Sequence, residues 1–537
     1  DYHVNESFLD TSLEFDNVRK HARALGYKFS GTPSSFGVVS LFILCPANTE
    51  GNAPDTSYLP ILKGGSSFST SNGGNFILTE DVDFANASAD VVAARFNSTT
   101  GATTYFAVRA YGQIQSGFLQ RATVDLTNST FEKFKKIRVG DPSICEIISV
   151  FDSDGNRYYE VDNLSQEVIF VDTTNKNAAN DGVRSILKPF ATTRRFTVEQ
   201  DDTGTYLQFG FGSAGEDDSG ITNPASVALK MNGKNYISSK SFDPTKLMST
   251  NKLGISPYNT ELVVIFRSNT VDTTNVAANA INVVGRVQFI YQDISVLTNT
   301  QRNFLENSLE VNNDDPITSI NVDISVDELK QRAKSHYATQ NRAVTKQDYE
   351  SLVYNLPAKF GAITRANIIN DPSATNRKMS LYVISQDSDG NLALSGDVVK
   401  NNLKNWINQF RAVNDQIEIM NPKIINFGID FVVMTDKRFS QNSVLTECIE
   451  EVKSLFSDKL YIGEPIYLTR IYERLNRVDG VVDVRRVTLH NKNDGNYSAV
   501  FLDFDKVLSR DGTYIETPKN AIMELKFPDL DIKGTAK

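Results

Sequence analysis

The pattern of apolar and polar positions changes character twice along the chain. Over residues 5–27, Phe8, Phe15, Val18, Ala22 and Leu25 recur at helical spacing and Gly26 supplies a stop, which predicts one amphipathic helix. From Phe36 to about Ile320 the texture becomes short β-branched and aromatic runs broken by Gly, Asn, Asp, Ser and Thr. That texture predicts a large all-β region. Its clearest strands are Phe42–Leu44, Ala107–Arg109, Ile144–Phe151, Glu167–Val171, Tyr206–Phe211 and Glu261–Phe266. Ile144–Phe151 and Arg157–Val161 flank Asp152-Ser-Asp-Gly155, which reads as a hairpin because Asp-Gly suits turns that need positive φ.

After Ser325 helix and strand alternate. Ser325 with Glu328, and Thr345 with Asp348, have the spacing of capping boxes, in which a hydroxyl and a carboxyl satisfy orphan amides at a helix start. Behind the second box, Tyr349, Leu352, Val353 and Leu356 share a helical face, and Pro357 and Gly361 end it. Strands are expected over Ala362–Ile369, Met379–Ser385, Gln416–Met420, Ile424–Met434 and Val481–Leu489. Helices are expected over Asp397–Val413, Val444–Leu460 and Tyr467–Leu475. This interleaving predicts a compact α+β sandwich of the ferredoxin-like kind. The expected fold class is therefore multidomain α+β. It comprises an N-terminal helical segment at 1–30, an all-β region of two subdomains at 31–324, an α+β domain at 325–490 and a C-terminal extension at 491–537. No fixed-period repeat appears, which argues against a solenoid.

Composition narrows the function. A chain of 537 residues is too long for one hydrophobic core. Its net charge of −10 is spread without long blocks, so nothing marks a nucleic-acid binder. The densest basic run, Lys133–Arg138, alternates cations with apolar residues and reads as a strand with one solvated face. Cys45, Cys145 and Cys448 lie too far apart for a disulfide framework or a zinc site, which fits a reducing compartment. No apolar run approaches the roughly 20 residues that span a bilayer, so no membrane insertion is expected. The chain begins at Asp1 without a methionine or a charged-then-apolar leader, which suggests that an upstream segment is missing.

The apparent chemical motifs fail on context. Gly210-Phe-Gly212-Ser-Ala-Gly215 matches a dinucleotide fingerprint, but Glu216, Asp217 and Asp218 follow where a phosphate cradle needs a helix N-terminus. Asp152 with Asp154, and Asp387 with Asp389, imitate calcium loops without the remaining ligands. His3, His21, His336 and His490 are scattered, and no nucleophile elbow is present. No metal, cofactor or catalytic residue is expected. What remains is apolar helix faces. Phe8, Phe15, Val18, Ala22 and Leu25 have no helical neighbour before the β region begins, so a partner from outside the chain is expected to cover them. Val399, Leu403, Trp406, Ile407 and Phe410 form a second face. Ordinary core packing is the first reading there, and the tryptophan makes the face a candidate for subunit contact.

The order Arg342-Ala-Val-Thr345, Asp348-Tyr349, then helix and strand resembles the central segment of the baseplate J-like wedge proteins of contractile-tailed phages. Three more segments are similar, in the same order, to T-even-like baseplate wedge proteins. They are Asn5–Asp10 running into Val18–Tyr27; Phe209–Gly212 with Gly254–Pro257 and Leu262–Ile265; and Gly463–Tyr472 through Val478–Val484. In the family a further helical segment precedes the position of Asn5. The resemblance implies a structural scaffold of the virion tail baseplate, assembled in the host cytoplasm and present in paired copies. Such a scaffold contacts other wedge proteins, joins wedges into a ring around the tail tube and has no enzymatic role. The alternative is a β-rich receptor- or carbohydrate-binding protein, supported by the Ser/Thr/Asn-rich β region. The module after Ser325 speaks against it.

Overall fold

In the computed structural model, the first helix is shorter than its periodicity suggests. The structure describes residues 2–28, 33–86, 89–175, 185–201, 203–213, 253–270, 274–291, 297–318, 325–370, 378–387, 390–457 and 460–537. Helix α1 covers only Phe15–Ala24, while residues before it form a four-residue helix, Tyr2–Asn5, and turns. Chain contacts divide the molecule into two units. One takes Asp1–Lys28, Pro33–Ser116 and Val271–Lys537; the body of the other is Gly117–Thr270.

The first unit begins with α1 and a sheet built on strands β1 (Phe36–Pro46), β2 (Asp90–Phe96) and β3 (Thr103–Ser116). β1 pairs antiparallel with β3 from Phe36↔Gln115 to Pro46↔Tyr105. β2 lies along the other edge of β3. Alternate positions of β1 and β3 point inward, so Val39, Leu41, Ile43, Val108 and Ile114 join Phe68, Phe76 and Leu78 in one core.

The second unit contains β4 (Phe118–Asp125), β5 (Lys136–Gly140), β6 (Ile144–Phe151), β7 (Arg157–Glu160), β8 (Val168–Thr174), β9 (Ser185–Ala191), β10 (Arg195–Asp201), β11 (Gly204–Phe209) and β12 (Glu261–Ser268). Seven of these form a sheet in the order β4-β12-β6-β7-β10-β11-β5. All neighbours are antiparallel except β7 and β10. The sheet curls until its edge strands β4 and β5 approach each other, enclosing Val150, Phe196, Leu207, Phe209, Leu262 and Val264. The hairpin expected at Asp152–Gly155 forms between β6 and β7, with Gly155 at φ +80°. β8 and β9 make a separate two-stranded ribbon.

Back in the first unit, helix α2 (Asn299–Asn307) stands inside the stretch expected to be all β, started by a complete capping box of Thr298 and Gln301. The short strand Glu310–Asn312 then pairs with β1, Ser40 opposite Asn312. Helices α3 (Val326–Thr339) and α4 (Lys346–Tyr354) lead into β13 (Arg365–Asn370), β14 (Lys378–Gln386), α5 (Asp397–Ile407) and β15 (Gln416–Met420). β14 pairs antiparallel with β13 and parallel with β15. The helices cover this sheet through Tyr349, Leu352, Val353, Val399, Leu403 and Ile407.

A second sheet is built on β16 (Lys423–Thr435), with α6 (Gln441–Leu455), α7 (Leu468–Asn476), β17 (Val481–Asn491), β18 (Ala521–Glu524) and β19 (Ile532–Ala536). β17 runs antiparallel along one edge of β16; β18 and then β19 run parallel along the other. The stretch 491–537, expected as an extension, thus supplies two strands of the sheet. The molecule is multidomain α+β, as the sequence predicts.

Candidate interaction surfaces

The amino-terminal segment is shaped by one carboxylate. Glu6 is buried and accepts hydrogen bonds from the Leu13 backbone N–H at 2.8 Å, the Ser12 hydroxyl at 2.6 Å and the Asn17 side-chain amide at 2.9 Å. These donors, the Leu13 amide foremost, hold its pKa down at about 2. Residues 6–13 are thereby folded back as a turn, which ends the helical run that the periodicity predicts. Val18 and Ala22 of α1 are fully buried against α3. The expectation that this helix lacks a partner within the chain is corrected: α3 lies more than 300 residues downstream, a distance local periodicity does not sense. The Lys330 ammonium donates to the Asp10 carbonyl at 3.3 Å, and Lys334 pairs with the Asp10 carboxylate. Tyr27 is buried edge-on against His336 with ring centroids 6.0 Å apart.

The residues of the two candidate faces therefore fall in three environments. Val18 and Ala22 face α3, and Phe15 and Leu25 are half-buried. Phe8 stands 62% exposed, and Tyr2, Val4 and Leu13 nearby are also exposed. Val399 and Leu403 lie inside the core of the first α+β sheet, with Trp406 and Phe410 packed at its margin. The Trp406 indole N–H donates to the Leu352 carbonyl at 3.0 Å, and its ring meets Phe410 edge-on at 4.8 Å. The face that includes the tryptophan is thus occupied by its own domain.

Among known proteins, no family model matches the sequence, and no curated protein matches it. The chain is similar to a chain of the anti-feeding prophage baseplate, with TM-score 0.26 and 10% identity over 95% of this chain and 80% of that one. It is also similar to a chain of the type VI secretion system TssK-TssF-TssG baseplate subcomplex, with TM-score 0.25 and 8% identity over 75% of this chain and 92% of that one. Both assemblies are baseplates. At such TM-scores the likeness settles neither fold nor function.

The motifs that imitate ligand sites have structural explanations where they are described. Asp152 Oδ1 accepts from the backbone N–H groups of Asp154 at 3.1 Å and Asn156 at 2.8 Å, so it stabilises its own turn. Gly210 allows a close backbone approach, since a Cβ there would meet the Gly254 carbonyl oxygen at 2.3 Å. Gly215, Glu216–Asp218 and Asp389 lie outside the described residues. Asp387 Oδ1 accepts from the Asn391 N–H at 2.7 Å. Among the described residues, no three His, Cys, Asp or Glu side chains gather as metal ligands, and no helix is long and apolar enough to cross a membrane. Burial pushes the Cys45 thiol up to about 12 and Cys448 up to about 11, which keeps both as inert thiols at neutral pH.

Exposed apolar residues that periodicity did not single out lie on strands. β2 exposes Val91, Val92 and Phe96, and the β8–β9 ribbon exposes Phe170, Ile186, Leu187 and Phe190. Edge and ribbon strands show side chains on both faces, so alternation alone does not mark which positions are core.

Proposed function

We propose that this chain is a structural subunit of a contractile-tail baseplate wedge, linking wedges into a ring around the tail tube and carrying no catalytic residues. It acts in the virion after assembly in the host cytoplasm, paired with a second copy and with other wedge proteins. The observation that carries the reading is the exposure of Tyr2, Val4, Phe8 and Leu13 on the segment leading into α1, whose Asp10 is held by Lys330 and Lys334 of α3. A segment showing four large apolar side chains is suited to protein contact. The ordered sequence resemblance supplies the kind of assembly. Phe8→Asp combined with Leu13→Asp should leave the melting temperature of the isolated chain unchanged and abolish its incorporation when wedge proteins are mixed. Normal incorporation of the double variant would sink the reading.

A further inference from the structure

β2 is a strand without a core of its own. It pairs with β3 from Asp90↔Arg109 to Phe96↔Thr103, and among the described strands nothing pairs with its other side. None of its seven residues joins the core around β1 and β3, and all but Ala93 are exposed, Val92 to 65%. Edge strands are ordinarily blunted by Lys, by Pro or by being very short. β2 contains neither Lys nor Pro, and Val91-Val-Ala-Ala94 at its centre opens with two β-branched residues that favour extended pairing. Its open side offers backbone N–H and C=O groups that an added strand can take up.

The side chains of β2 say which strand fits. Asp90 and Arg95 are five positions apart and would point to opposite faces of a regular strand. The register with β3 shifts between Ala93 and Arg95, so Ala94 is the extra residue of a bulge, and the bulge re-aims Arg95. Asp90, Val92 and Arg95 consequently stand opposite Arg109, Ala107 and Tyr105, which are alternate positions of β3, and share one face. The contacts agree. Arg109 Nε lies 3.6 Å from Asp90 Oδ2, and the Arg95 guanidinium lies over the Tyr105 ring at 5.8 Å. Along this face the strand reads acid, valine, base at even steps. Rotated about a two-fold axis through Val92 and perpendicular to the sheet, that pattern is its own complement. Asp90 then meets Arg95 of the second copy, Val92 meets Val92, and Arg95 meets Asp90. Each carboxylate is left between two guanidiniums, Arg109 of its own chain and Arg95 of the other. Opposite charges directly across an antiparallel pair stabilise it, and like charges there destabilise it. Self-complementarity is what a symmetric contact between identical chains requires, and it singles out a second copy as the occupant.

We propose that a second copy of this chain pairs through β2, the two β2 strands lying antiparallel about Val92 so that their sheets become continuous. The inference rests on the pairing of copies given under the proposed function and assigns it to one strand. A seven-residue edge buries little area, so the pairing of isolated chains is weak and is best read by trapping it. Val92→Cys in the full chain should form a disulfide-linked dimer on mild oxidation, because the two substituted positions face each other at the axis. The native chain, with Cys45 and Cys448 buried, should not. Adding Asp90→Arg or Arg95→Asp to that variant should slow the linkage about tenfold, since each sets like charges opposite each other twice. Mixing the two doubly substituted chains should restore the rate, as the arginines of one then face the aspartates of the other. All variants should keep the native melting temperature, because β2 joins no core; a large drop would assign the strand to folding and overturn the inference. A Val92→Cys chain that does not link, as when a segment of the same chain covers β2, would overturn it, and so would linkage indifferent to the charge reversals or not restored by mixing. Sedimentation velocity of the native chain separates the two readings. A dimer whose Val92→Cys variant stays unlinked overturns this surface and leaves the pairing of copies standing, whereas a monomer whose variant stays unlinked overturns both.

Discussion

Glu6 and Tyr349 show how much a single polar atom decides. Glu6 has a folded-state pKa near 2 against an ordinary 4.5. A carboxylate lowered in this way contributes stability that is fully present above about pH 4.5 and is lost as pH falls through about 2. The protection of residues 2–17, taken against the intrinsic exchange rate at each pH, should therefore be high at pH 5 and fall progressively below pH 4.5, and Glu6→Gln should flatten that dependence. Protection unchanged down to pH 2 would contradict the role given to the carboxylate. Tyr349 is fully buried and donates its hydroxyl to Asp415 Oδ2 at 2.6 Å. Tyr349→Phe leaves a buried carboxylate short of a donor and should cost about 1–3 kcal/mol in urea unfolding. The sequence marks Tyr349 as core through its helical spacing. Nothing in it marks the acceptor, 66 residues away.

Elements announced by local chemistry were legible, and those decided at a distance were not. Both halves of the Thr345–Asp348 box form, Asp348 N–H to Thr345 Oγ1 at 3.2 Å and Thr345 N–H to Asp348 Oδ2 at 2.8 Å. At Ser325 only the hydroxyl half forms, because the Glu328 carboxylate turns instead to Arg332 at 2.6 Å. Helix α2 carried a readable signal in Thr298 and Gln301, hidden by the β-rich texture around it. The candidate faces on α1 and α5 were legible as apolar stripes. A stripe does not say what covers it, and both are covered from within the chain. Val18→Asp would set a carboxylate in a position with no exposure, so it should free α1 from α3 and open residues 2–28 to limited proteolysis while β-sheet circular dichroism persists. Resistance equal to that of the native chain would show that the docking survives without Val18.

Across the whole molecule, the divisions that matter are set by pairings far apart in sequence. The all-β texture at 31–324 reads as two subdomains without showing where they divide; Gly117–Thr270 form their own unit and the residues on either side belong together. β1 takes β3 on one edge and Glu310–Asn312 on the other. The second unit needs no partner strand from outside Gly117–Thr270 for its seven-stranded sheet. Pulse-labelled refolding should accordingly protect β6 and β12 before the outer edge of β1, since contacts of longer sequence separation form more slowly. Simultaneous protection of both regions would refute that order.

During synthesis, β1 leaves the ribosome long before its second neighbour exists. At about 5–20 residues per second, the stretch between Pro46 and Glu310 takes tens of seconds to translate. Through that interval a strand carrying Val39, Leu41 and Ile43 presents an unsatisfied edge to the crowded cell, the situation in which nascent chains recruit chaperones or pair with one another. Pauses in translation before Glu310 would lengthen that exposure, and the yield of soluble chain should fall with them.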